Sequence, residues 1–167
     1  MPTWAAMNNL STGDLVTEAD MDALRGNIEY LLDPNKQRIL RNNGGAYSTT
    51  STSFVDVDAT NLAATITTHG GPVLVMVSAI GYVGNTGAHL AFDVAVDGTR
   101  LVAAHTSGMI ISKFDVALSE KALAFTILAT GLAAGTHTFK LQWRVSVGTG
   151  YLQSDSGCPV HLGVIEL

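Results

Sequence analysis

The sequence predicts a mainly β protein, an antiparallel β-sandwich or jelly roll preceded by one N-terminal α-helix. Three observations carry that expectation. From Phe54 onward, short runs alternate apolar with polar or small residues, the period of a strand with one buried face. Turn signals at HGG, GNTG, DG, AAGT, GTG and SDSG divide those runs into about eight strands. A helical period occurs in one place, within LSTGDLVTEADMDALRGNIEYLL, Leu10 to Leu32. Parallel α/β folds need a crossover helix between strands, and no second helical period supplies one.

The helix is expected to start near Glu18. Thr17 is a good N-cap with Asp20 at the third helical position, and Glu18, Asp20 and Asp22 put negative charge at the positive end of the dipole. Met21, Leu24, Ile28 and Leu31 recur at the spacing of a narrow coiled-coil seam, and Asp33-Pro34 ends the helix. So short a helix, with Gly26 in its interior, is marginal alone. Its seam needs a partner, either other copies or this chain's own β domain, and the pattern leaves both open. Residues 1–33 are therefore expected to form an arm and helix for attachment or trimerisation.

Residues 34–52 read as a linker. Lys36, Arg38 and Arg41 form a small basic cluster, a solvated loop or a contact for an acidic partner, ahead of a Gly/Ser/Thr-rich stretch. Residues 53–167 are expected to hold the β-sandwich. In GTHTFKLQWRV, Phe139, Leu141, Trp143 and Val145 share one face, while Thr138, Lys140, Gln142 and Arg144 share the other. In HLAFDVAVDGTR, Leu90, Phe92, Val94 and Val96 point inward, and Asp97-Gly98 is the dipeptide of a two-residue hairpin turn. Leu123, Phe125 and Ile127 alternate in the same way, and PVHLGVIEL closes the chain as another strand. PVLVMVSAI is apolar at nearly every position, so both of its faces need cover, from the centre of the fold or from another subunit.

Composition narrows the function classes. At 167 residues the chain suits one domain and a small appendage, and only 14% of its residues are charged. Buried subunit contacts would resolve that shortage. A net charge of −5 argues against a non-specific nucleic-acid binder, which needs clustered Lys and Arg against phosphates. Neither a signal-peptide pattern nor an apolar run long enough to span a bilayer is written, so a soluble, cytosolically made protein without membrane contact is expected. Cys158 stands alone and reads as a small buried hydrophobe.

Candidate chemistry is sparse, and no enzymatic activity, cofactor or metal is expected. Asp56, Asp58 and Thr60 in FVDVDAT have the spacing of the haloacid-dehalogenase nucleophile motif. That chemistry requires a parallel strand followed by a helix, and the segment that follows is β-rich. His69, His89, His105, His137 and His161 have no ligand spacing. Asp93, Asp97, Asp115 and Asp155 have no EF-hand-like spacing. Ser154 and Ser156 lack a nucleophile-elbow frame and read as a turn. Tyr82 and Tyr151, beside predicted turns, are the candidate ligand-loop residues for a host-surface glycan.

Two segments carry a resemblance. TWAAMNNLSTGDLVTEADMDALRGNIEYLL, with Trp4, Gly13, Asp14, Leu15, Val16, Thr17, Ala19, Leu24, Asn27 and Leu31, resembles the N-terminal segment of tailed-bacteriophage virion proteins. Thr130 to Gly150 followed by PVHLGVIEL resembles the last strands of small β domains in phage tail-fibre and head-decoration proteins. Those domains are often homotrimeric, with a jelly roll like that of tumour necrosis factor. The resemblance implies a virion component without catalytic residues, with other virion proteins as partners. Capsid decoration and tail fibre or baseplate both stay open. It makes Trp4 and Leu10 candidate anchors beside the seam of Met21, Leu24, Ile28 and Leu31. Shaft repeats and collagen-like tracts are absent, which favours a compact knob over an extended fibre.

Overall fold

A computed structural model of the chain describes residues 17–32, 35–42 and 44–167, divided into two compact units, Met1–Asn35 and Lys36–Leu167. In the first unit, α1 spans Glu18–Leu32. The expected cap closes it reciprocally: Asp20 N donates to Thr17 Oγ1 at 3.3 Å, and Thr17 N donates to Asp20 Oδ2 at 3.0 Å. Met21, Leu24 and Ile28 of the seam are exposed. Trp4 and Leu10 lie outside the described residues, as does the side chain of Leu31.

The second unit contains β1 (Lys36–Arg41), β2 (Gly45–Thr49), β3 (Val55–Asp56), β4 (Ala63–His69), β5 (Val73–Val83) and β6 (His89–Val96). They are followed by β7 (Thr99–Arg100), β8 (Ile110–Lys113), β9 (Lys121–Ala129), β10 (Ala134–Val145), β11 (Gly150–Ser154) and β12 (Val160–Glu166). These form two six-stranded sheets, and every pairing is antiparallel.

Several short strands are collinear pieces of longer ones. β12 pairs β5 over Val73 to Ser78 and β11 pairs it over Gly81 to Val83, along the same edge. β9 takes the opposite edge of β5. β1 and β2 line up in turn against β12 and β11. In the second sheet β3 and β4 share one edge of β10, while β7 and β8 share one edge of β6. The first sheet thus reads β1/β2, β11/β12, β5, β9, and the second β3/β4, β10, β6, β7/β8. The chain changes sheet at each step between these long strands except at the β6–β7 hairpin, which is a jelly roll.

The linker expected over 34–52 is corrected by this topology, because β1 and β2 are the edge of the first sheet and the β unit begins at Lys36. An edge strand covers the core with one side of itself, and charge on such an edge blocks further strand pairing. Ile39 packs on the core while Lys36, Arg38 and Leu40 are exposed. Gln37 Oε1 accepts from Thr65 N of β4, and the Arg41–Tyr47–Asp58 chain follows it, so side chains close the same open side of the sandwich.

Between the sheets, Trp143, Phe92, Phe139, Phe114, Leu90, Leu141, Leu152 and Leu162 are fully buried. The inward faces read from β6 and β10 are those observed. Leu90 inserts toward a notch in the first sheet made by two glycines: a Cβ on Gly150 would stand 2.3 Å from its Cδ2, and one on Gly81 3.1 Å from its Cδ1. Glycine here serves close packing across the core.

Candidate functional site

The two outward faces of the sandwich differ sharply in chemistry. On the second sheet the outward row is polar and internally paired. Thr65 meets Thr138 at 2.9 Å and Thr67 meets Thr136 at 3.2 Å. Asp56 accepts from Lys140 Nζ at 3.2 Å and from Gln142 Nε2 at 2.7 Å. Buried Asp93 accepts from Arg100 Nε at 2.8 Å. Most of the polar groups on this face thus pair with one another, with the buried Arg144 Nε as an exception.

The outward face of the first sheet is apolar. Ile165, Leu74 and Leu128 form one row across β12, β5 and β9. Gly163, Met76 and Thr126 form the next row, and Ile80 faces Ala122. Met76 is 37% exposed and Leu128 47% exposed. The central strands β5, β9, β11 and β12 place no charged side chain on this face; Lys36 and Arg38 stand at its β1 edge, and Glu120, just before β9, accepts from Gln153 Nε2 beside Tyr82. The expected double cover of PVLVMVSAI is thus met on the inward side only: Val73, Val75, Val77 and Ala79 are buried, while Met76 and Ser78 are exposed.

Gly163 indents the face. A groove of about 310 Å³ runs between Met76, His161, Ile165 and the Lys36–Arg38 edge, and a Cβ on Gly163 would reach into it to 3.4 Å from Met76 Cε. Arg38 Nε donates to His161 Nε2 at 3.2 Å. Burial, then the Arg38 charge, pushes the His161 pKa below its ordinary value, so its ring adds no charge to the groove at neutral pH.

Tyr82 and Tyr151, expected beside turns as ligand residues, are strand residues on this same face. They sit directly opposite each other and stack with centroids 4.6 Å apart at 10°. Cross-strand pairing of flat rings explains the placement. Burial, then the neighbouring Tyr151 and Glu120, raises the Tyr82 pKa.

The remaining candidates are dispersed into structural roles. Asp56 ends the two-residue antiparallel strand β3 and Asp58 lies in the loop that leads into β4, a geometry unlike the phosphatase motif. Asp58 binds its own loop and Tyr47. His69 meets Glu166 at 3.1 Å, and His137 meets Asp97 at 2.7 Å. Ser154 is buried and donates to the Arg41 carbonyl. Asp155 caps its turn by accepting from Gly157 N and Cys158 N. Cys158 is half-buried. Among the described residues no group of three His, Cys, Asp or Glu is placed to hold a metal ion, and no helix is long and apolar enough to cross a membrane.

No family model matches the chain, nor does any curated protein. Solved structures do resemble it. Eiger TNF from S. frugiperda is similar at 13% identity and a TM-score of 0.46, over 81% of this chain and 94% of that one. The infectious bursal disease virus VP2 subviral particle is similar at 14% identity and a TM-score of 0.49, over 80% of this chain. The chain spans only 32% of that protein's length. The neighbours therefore include viral capsid and TNF-like jelly rolls, at low identity.

The face-lining residues Met76, Leu128 and Ile165 did not figure among the candidates read from sequence. Their signal was the unbroken apolar run through β5, which asked for cover without naming the partner strands.

Proposed function

We propose that the protein is a structural component of a bacteriophage virion and has no catalytic role. In this reading it forms a homotrimeric surface knob, attached through residues 1–33 to the capsid as a decoration or to the tail as a fibre or baseplate element. The outward face of the first sheet is the subunit interface. Its partners are two further copies and neighbouring virion proteins, with no nucleic acid or membrane contact.

The observation that carries the reading is that largely apolar face, whose central rows Ile165–Leu74–Leu128 and Gly163–Met76–Thr126 carry no charge. Four strands spaced ~4.8 Å apart, each about nine residues long, cover on the order of 600 Å² in projection. Side-chain relief raises the accessible area toward the ~800 Å² that each partner buries in a stable interface. Patches this large seldom stay open on monomers. A second copy is the occupant that fits best: the rows across β12, β5 and β9 carry no charge, Lys36 and Arg38 are confined to the β1 edge, and Glu120, beside Tyr82, is already held by Gln153 Nε2 at 2.8 Å. Two supports are independent of the face. The 14% charged fraction leaves little with which to solvate a monomer, and the N-terminal segment resembles that of tailed-bacteriophage virion proteins while the C-terminal segment resembles phage β domains that are often trimeric. Exposure of Met21, Leu24 and Ile28 supports a seam that pairs outside its own helix.

Sedimentation equilibrium of the whole chain tests this. The expected mass is three times the 17.5 kDa of one chain, and the protein should co-purify with phage particles. A stable monomer that never joins particles overturns the reading. The stacked pair Tyr82 and Tyr151 gives the glycan-binding alternative no support, since each ring already has one face taken by the other.

A further inference from the structure

A pocket of about 430 Å³ opens over the second sheet, lined by Thr52, Ser53, Phe54, Arg100, Thr106 and Arg144. Its two cations are held differently. Arg100 is paired and held: Nε donates to buried Asp93 at 2.8 Å, Nη2 donates to the His105 carbonyl at 2.8 Å and the Val102 carbonyl at 3.3 Å, and its Cζ stacks 3.9 Å from the Phe54 ring centroid. It is neutralised by Asp93 and locks the β7–β8 loop. Gly108, at φ +69°, lets that loop close on the ring, because a Cβ there would lie 2.6 Å from Phe54 Cζ.

Arg144 has the opposite character. Its Cζ lies 5.6 Å from the Phe54 centroid, and one N–H group donates to the Thr52 carbonyl at 3.4 Å. Nε is buried and has no acceptor. No carboxylate pairs with this guanidinium among the described residues, although the chain as a whole carries a net charge of −5. A half-buried arginine with spare donors, held against an aromatic ring beside three hydroxyl side chains, is a preorganised anion contact.

We propose that this pocket binds a small oxyanion, a carboxylate or phosphate group, through the Arg144 guanidinium and the hydroxyls of Ser53 and Thr106. Phe54 and Arg100 hold the site in shape without spending donors on the ligand. The pocket lies on the sheet opposite the apolar face, so assembly through that face leaves it open.

Calorimetric titration of the whole chain with sodium glucuronate, inorganic phosphate and glucose tests the site. Saturable binding of at least one anion is expected, weakening as salt rises, with none for glucose. Binding of glucuronate alone identifies a sugar-acid carboxylate as the source, and binding of phosphate alone identifies a phosphate group. Arg144→Gln should weaken the bound anion about tenfold or more, the scale of one charge-assisted hydrogen bond, and Arg144→Lys should restore part of it. Should Arg144→Gln fail to fold, Ser53→Ala with Thr106→Val takes its place and is expected to weaken binding several-fold. Absence of saturable anion binding, or wild-type affinity in a folded variant, overturns the proposal.

Discussion

Asp58 shows how one side chain secures the seam between the sheets. Its carboxylate accepts from Thr60 N at 3.1 Å, Asn61 N at 2.8 Å and the Tyr47 hydroxyl at 2.9 Å. Arg41 Nε in turn donates to that hydroxyl at 3.1 Å. Burial pushes the Asp58 pKa up, but the hydrogen bonds from Asn61, Tyr47 and Thr60 outweigh it and hold the carboxyl at about 2. A folded pKa below the ordinary 3.8 means that the charged form is favoured by folding. The stabilisation is therefore fully present above pH 3.8 and is lost as pH falls through about 2. Asp58→Asn should lower the thermal midpoint at neutral pH and flatten its acid dependence between those limits. An acid limb identical to wild type would refute the assignment.

At the scale of the element, the β6–β7 hairpin has a measurable conformational demand. Asp97 and Gly98 both have positive φ, 50° and 84°, as a two-residue turn with the twist of its flanking strands requires. Nothing lies within 4 Å of a Cβ placed on Gly98, so a substitution there meets backbone strain without a clash. Gly98→Ala should cost about 1 kcal/mol in urea unfolding, and Gly98→Val more; an unchanged midpoint for both would contradict the turn geometry. The hairpin was legible because both determinants are adjacent in the chain. The strands β1 and β2 were not: their partners, Val160–Ile165 and Gly150–Ser154, lie more than a hundred residues away in sequence. Their own residues, KQRILR and GAYST, look like a linker because an edge strand needs little apolar surface. The Phe54–Arg100–Arg144 pocket was invisible for a related reason, since its residues come from three separate segments that only the sheet register brings together.

For the whole molecule, the contrast between its two outward faces makes the assembly surface testable without disturbing the fold. Met76 and Leu128 point away from the core, on neighbouring strands of the first sheet. Replacing them with lysine leaves the inward rows of Val75, Val77, Ile127 and Ala129 untouched, so secondary structure and unfolding of the subunit should change little. At an interface the same two charges would be desolvated without partners, at a cost of about 2 kcal/mol or more each. Met76→Lys with Leu128→Lys should therefore convert the oligomer to single chains by sedimentation while the circular dichroism spectrum holds. Thr67→Lys with Thr136→Lys, on the outward face of the second sheet, should leave the mass unchanged. If the wild type assembles and the first pair does not dissociate it, assembly runs through another surface, and the helix seam of Met21, Leu24 and Ile28 becomes the next target. If the second pair alone dissociates it, the polar face is the interface and the assignment of the two faces is reversed.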